Sequence, residues 1–404
     1  MSARPMVPPE KQLQPLPYHE ALVGYLSAQE TEAWAWMANS KAQADYAEEL
    51  RMDLLKSTYR LDAAAHPEAF AALERARAVL CPGVPVTLYQ SQHNRSLNAS
   101  LFYLPGEAHI VFAGGVLQLL TPAELLAVLG HELAHYRLWS SAEGRFFTAD
   151  RLAQAMAAEA RAEPSHQETA RLLRLYTEIY ADRGALSVAG EVAPAVSALV
   201  KMATGLPQVD AASYARQADE IFARAKVRTE GLSHPETFIR TRALHLWADG
   251  GDADREITRM IEGAPALDRL DLLGQQRLAD ETLRWLRLLL REPWFQTESI
   301  RSHARMFFPG FEFAGADHAD AALLAALDGV PVAIRDYFCY LLLDFAAVDP
   351  DLEEEPLKAA HRLVRELEWN DRLESLSAKE LKLKKKEAKR IREAAIGVEP
   401  EARP

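Results

Sequence analysis

The stretch Thr121–Ser140, TPAELLAVLGHELAHYRLWS, constrains this chain more than any other. Thr121 is an N-cap residue, Pro122 suits the first helical position where its missing N–H costs nothing, and Glu124 falls where a capping box needs an acid. A helix therefore starts here. Leu125, Val128, Leu129 and Leu133 then recur at near-helical spacing and face a core. His131 and His135 lie one turn apart on one face of that helix, so both rings can aim a nitrogen at a single ion, with Glu132 beside them. The spacing is the HExxH zinc signature. With 12 histidines in 404 residues, the pentapeptide arises by chance in roughly a few chains per hundred, so it needs company.

A catalytic zinc takes three protein ligands and keeps a fourth position for water. The third ligand must come from elsewhere. Residues 148–163 read as an Ala-rich helix broken by Pro164, after which Ser165 offers a new N-cap with Glu168 at N3. The helix that follows carries Leu172, Leu173, Leu175, Tyr176, Ile179 and Tyr180 on its apolar side, and Glu178 and Asp182 one turn apart on one face. A Glu on a second packed helix completes such a site, and an acid four residues on can hold a ligating histidine by its other ring nitrogen. Upstream, residues 66–79 read as a helix and Val84–Tyr89 as a strand. Asn98–Tyr103 and His109–Ala113 form a hairpin across Pro105-Gly106. The second strand ends at Gly114-Gly115, shortly before the motif helix. An exposed strand edge there can pair with an extended peptide, which nominates Asn98, Ala99, His109, Ile110 and Val111 as substrate contacts; the alternative is a paired interior strand.

Net charge −12 and a pI near 5.6 argue against nucleic acid as a partner of the whole molecule, since phosphate contacts need clustered Lys and Arg. Two cysteines, Cys81 and Cys339, suit a reducing compartment and read as buried apolar residues. The N-terminus lacks the apolar region of a signal peptide, and Val192–Gly205, the longest apolar stretch, is interrupted by Pro194, Ser197 and Lys201 and is far short of a membrane span. A cytoplasmic location is expected. Five prolines before residue 18 predict a disordered arm over 1–17. Residues 18–60 form a helical segment in which Trp34 and Trp36 are expected to pack into a core.

Residues 251–375 show no strand pattern and form a helical domain, with Trp285, Trp294, Phe307, Phe308, Phe311 and Phe313 as its expected core. The helical runs fall at 253–263, 266–292, 319–328, 331–346 and 356–375. Asp344, Asp349, Asp351 and Glu353–Glu355 read as an exposed acidic turn rather than a cation site. Residues 376–404 form a basic helix and tail: Lys379–Arg392 holds eight Lys or Arg, a stretch that can contact an anionic membrane surface or be neutralised by the protein's own acids.

Four motifs in order give the chain a family resemblance. Gly114-Gly115-Val116-Leu117, the helix ELLAVLGHELAH, EIYADRGA at 178–185 and SHPETFIRTRAL at 233–244, preceded by Asn98-Ala99, resemble the HtpX and CAAX prenyl endopeptidase group of gluzincin metallopeptidases, metallopeptidase family 48. The resemblance covers about residues 50–250. It implies an α+β, mainly α, peptidase domain over 61–250 with a small β-sheet around the HExxH helix, followed by an all-α domain. It implies one Zn2+ per chain held by His131, His135 and Glu178, with Glu132 as general base, Asp182 behind the ligands, and His234 and Arg240 near the reacting bond of a peptide substrate. Phe238, Ile239 and Thr241 depart from the family pattern around Arg240. Members of this type commonly carry membrane spans, which this chain lacks, so a soluble zinc endopeptidase governed by its helical C-terminal domain is expected. The competing reading is a catalytically idle peptidase-like scaffold. A faint resemblance of residues 340–367 to TerB-like helical domains adds a stress-response binding protein as a third.

Overall fold

The computed structural model describes residues 13–93, 95–250 and 253–397, and the chain divides into two compact units, 1–263 and 264–404. Most of the arm expected over 1–17 and the tail from 398 onward lie outside the described residues. Within the described part of the arm, Leu13 and Leu16 are buried.

The first unit opens with α1 (Pro17–Gln29), α2 (Thr31–Met37) and α3 (Ser40–Ser57), followed by β1 (Thr58–Arg60), α4 (Pro67–Leu80), β2 (Val86–Ser91), β3 (Asn98–Leu104) and β4 (Glu107–Ala113). It continues through α5 (Val116–Leu119), α6 (Pro122–Ser140), α7 (Arg145–Ala158), α8 (Pro164–Ala189), α9 (Val192–Thr204), α10 (Ala211–Arg224), α11 (Thr237–Asp249) and α12 (Ala253–Glu262). The strands form one mixed sheet in the order β1-β2-β4-β3. The hairpin expected from the sequence is present, with Asn98 opposite Ala113 and Leu104 opposite Glu107. β2 runs parallel to β4 on its other side. The hairpin's second strand is thus interior, and among the described residues β3 pairs with β4 alone.

Helix α6 is the centre of this unit. Its start is the expected capping box: Thr121 Oγ1 accepts from the Glu124 N–H at 3.4 Å, and Glu124 Oε2 accepts from the Thr121 N–H at 2.8 Å. The same carboxylate receives the buried Lys201 Nζ of α9 at 2.8 Å, so the first turn of α6 is tied to a second helix by a charge-assisted bond. The start of α8 differs from expectation. Glu163 is the N-cap and Pro164 is the first helical residue, because a proline ring that ends one helix is equally well placed to begin the next.

α6 and α8 cross where neither has a side chain. A Cβ added to Gly184 would sit 2.3 Å from the Cβ of Ala134 and 3.1 Å from the carbonyl oxygen of Gly130, and one added to Gly130 would sit 2.9 Å from the Cβ of Val188. The backbones approach closely because these glycines permit it. His131 follows the first glycine, and Asp182 precedes the second by two residues.

The second unit is helical among its described residues: α13 (Leu272–Leu289), α14 (Glu298–Phe307), α15 (Ala321–Leu327), α16 (Val332–Ala346), α17 (Glu355–Leu363), α18 (Asn370–Glu380) and α19 (Lys385–Ile396). Trp285, Phe311, Phe338 and Phe345 are buried in its core, with Trp285 edge-on to Phe338 at 5.6 Å. Two aromatics expected there face outward instead: Trp294 is 36% and Phe307 44% exposed. Trp36 likewise is 61% exposed, since α2 is a seven-residue helix that buries no side chain. Cys81 and Cys339 are buried and unpaired. In the acidic turn Asp344 pairs with His303 and Asp349 accepts from Thr297. Of the basic stretch, Arg390 pairs with Glu354, and Arg392 with Asp371 and Glu374. Among the described residues no helix is long and apolar enough to cross a membrane.

The crossing predicts a cost for any side chain at position 184. Gly184→Ala forces α6 and α8 apart and should lower stability by about 2 kcal/mol or more, read as a reduced urea midpoint; an unchanged midpoint would show that the crossing tolerates a methyl group.

Candidate metal centre and cleft

Three donors meet between α6 and α8. His131 Nε2 and His135 Nε2 lie 3.3 Å apart, and the Glu178 carboxylate faces both, at 3.4 Å from His131 and 3.7 Å from His135. One atom from each residue lies within 4.8 Å of the other two, the one such grouping of metal-ligating side chains among the described residues. Glu178 Oε2 is buried without a hydrogen-bond partner. Buried polar atoms are normally satisfied, so acceptors converging in this way suit a cation.

Asp182, one turn beyond Glu178, stands behind the pair. Its Oδ1 lies 3.1 Å from His131 Nδ1, and it takes a forked contact from Arg240 of α11, Nε to Oδ2 at 2.7 Å and Nη2 to Oδ1 at 2.6 Å. Arg240 Nη2 also lies 3.4 Å from Glu178 Oε2. Arg240 is buried and its forked face is committed to Asp182. Three buried acids, Glu132, Glu178 and Asp182, face this one guanidinium, so the cluster favours further positive charge. Burial opposes a charge on His131, yet the carboxylates of Asp182 and Glu178 beside it prevail and push it up to about 10. His135 is pushed down to about 3 by burial and by the neighbouring His131. Burial disfavours the charged form of Glu178, but His131 and then Arg240 hold its carboxyl well below the usual range.

Glu132 points toward the sheet. Burial pushes it up to about 7, while the charges of His131 and Arg240 and a backbone hydrogen bond from Leu101 of β3 pull it back. The His234 loop closes the other side. His234 Nε2 stands 3.5 Å from Glu178 Oε1 with its side chain 56% exposed, and its Nδ1 meets Ser233 Oγ at 2.9 Å. The loop is pinned from below: Glu236 accepts from Thr229 Oγ1 at 2.7 Å and from the Glu230 N–H at 2.9 Å, and Arg171 donates to the Gly231 carbonyl at 2.9 Å.

These residues open onto a cleft of about 620 Å³ whose wall includes residues 97–101 around β3. Asn98 and Ala99 lie on that wall. His109, Ile110 and Val111 do not: they sit on β4, buried and hydrogen-bonded on both sides, so the strand edge beside the cleft belongs to β3. His109 meets Tyr89 Oη at 3.3 Å, and burial pushes its pKa down. The cleft residues that the sequence does not single out include Trp139, Asp150, Gln154 and Arg174. Two had a spacing signal, since Trp139 follows His135 by one turn, with the rings 5.4 Å apart, and Arg174 precedes Glu178 by one turn.

A helix bearing two histidines, completed by an acid from a second helix and opening onto a cleft beside a strand edge, defines a metallopeptidase class of site. Residues 70–248 match the model of peptidase family M48. No curated protein and no solved structure matches the chain.

The charge balance carries its own test. Arg240→Met leaves Asp182 and Glu178 buried without their cation and should cost about 3–5 kcal/mol of stability in urea denaturation. A second change, Asp182→Asn, should recover part of that loss; additive effects would mean the two residues do not answer each other.

Proposed function

We propose that this protein is a zinc-dependent endopeptidase in which His131, His135 and Glu178 hold the ion and Glu132 is the general base. The observation that carries this reading is the convergence of two imidazole nitrogens and a buried, unsatisfied carboxylate oxygen within 4.8 Å, a donor set that fits zinc. Zinc in such a site supplies Lewis acidity, acidifying water and polarising a carbonyl. Glu132, adjacent to His131 and steadied by Leu101, takes the proton from the attacking water and returns it to the leaving amine. Its burial raises its proton affinity above that of an exposed carboxyl, which suits a group that must take up a proton and give it back. His234, exposed to the cleft beside Glu178, is placed to donate to the developing oxyanion. Asp182 and Arg240 act one layer back: the first orients His131 through Nδ1, and the second orients Asp182.

The free edge of β3 at Asn98 and Ala99 supports docking of the substrate as an extended strand. The two buried, unpaired cysteines suit a reducing compartment such as the cytoplasm. Control of substrate access by residues 264–404 belongs to the same reading, on the ground that a protease in the cytoplasm needs restraint. The competing scaffold reading has no use for Glu132, and its retention favours the enzyme.

Glu132→Gln should keep zinc, measured by metal analysis, and lose roughly 10²–10⁴-fold in peptide hydrolysis; turnover that survives the change removes Glu132 as the base. Asp182→Asn should weaken zinc by roughly tenfold or more in competition with a chelator, and equal affinity would detach Asp182 from the metal.

A further inference from the structure

Among the described residues Arg174 lines the cleft without forming an ion pair. It lies on α8 one turn before Glu178, and both line the cleft. Across from it α7 presents Asp150 and Gln154, again one turn apart. Gln154 Oε1 accepts from Arg174 Nη1 at 2.6 Å and fixes the head group, while Arg174 Nε is buried without a partner. Three arginines of the same unit are paired: Arg171 with Glu168 at 2.8 Å, Arg183 with Asp254 at 2.6 Å, and Arg240 with Asp182 at 2.6 Å. Asp150 feels the charge of Arg174, while burial pushes that carboxyl up to about 6. By contrast, the part of the cleft walled by Ala195, Ala198, Leu199 and Met202 of α9 is apolar.

A half-buried guanidinium held by a neutral amide keeps N–H donors on its Nη atoms for an anion, and a carboxylate accepts such donors. We infer that the Arg174 arm of the cleft is a subsite for a carboxylate carried by the peptide substrate. This rests on the peptidase reading above. One helical turn is about 5.4 Å and an extended residue advances about 3.3 Å. The carboxylate therefore falls within about two residues of the scissile bond, as an acidic side chain or as the free end of a short peptide.

Two series of internally quenched peptides separate those sources. One exchanges Glu for Gln at the positions flanking the cleaved bond, with an amidated end; the other compares a free with an amidated C-terminus on a neutral sequence. A charge-assisted contact is worth roughly tenfold, so the zinc-loaded protein should show about that ratio in kcat/KM for acid over amide in at least one series. Arg174→Gln should bring the ratio close to one, and Arg174→Lys should restore part of it. The same ratio should appear in Kd measured on the Glu132→Gln protein, where turnover plays no part. Ratios near one in both series, a ratio that Arg174→Gln leaves unchanged, or a preference for basic peptides that Asp150→Asn abolishes would each overturn the subsite. Failure to cut any peptide would overturn the peptidase reading instead, and the subsite would then stand or fall on the Kd ratio.

Discussion

Asp182 ties three parts of the first unit together through one carboxylate. It sits on α8, faces the outer ring nitrogen of His131 on α6, and receives the fork of Arg240 from α11. Burying such charges costs several kcal/mol per ion unless geometry and hydrogen bonding are good, and a bidentate guanidinium fork is among the better ways to offset that cost. The arrangement is better understood as orienting His131 than as stabilising the fold. Two apolar residues of similar volume could fill the same space without the desolvation penalty, but they would leave the imidazole free to rotate.

Around this node the electrostatics are graded. The acids outnumber the guanidinium around Glu178, and Arg174 stands without an ion pair among the described residues farther along the same face of α8. The cleft thus has the acids Glu132, Glu178 and Asp182 at one end and Arg174 with Asp150 at the other, with an apolar wall contributed by α9. A peptide lying along β3 would meet all three environments within a few residues.

Much of this was legible in the sequence because it is local. The capping box of α6, the one-turn spacing of His131 and His135, and the matching spacing of Glu178 and Asp182 are all properties of single helices, and the structure forms those helices. What the sequence concealed depends on distant partners. The hairpin was visible, but its edge was not, because that is decided by β2 returning to pair in parallel with β4. β1 is three residues at the end of a helical pattern and exists only because β2 lies beside it. Pro164 could end one helix or begin the next, and only packing chose. Trp36 read as core by composition alone. Arg174 is the plainest case, since an arginine on a helix reads as solvated until the fold shows it lining the cleft, held by the neutral amide of Gln154.

The close crossing at Gly130 and Gly184 bears on how such a site is inherited. The separation of His131 from Glu178, on which convergence of the donors depends, is set by two positions that possess no functional group. Searches for active residues pass over them, because they contribute absence rather than chemistry. Their influence is nevertheless as specific as that of a ligand: a single methyl group there would spread the donors while leaving each of them intact. Part of the information that specifies this centre is therefore written as atoms left out.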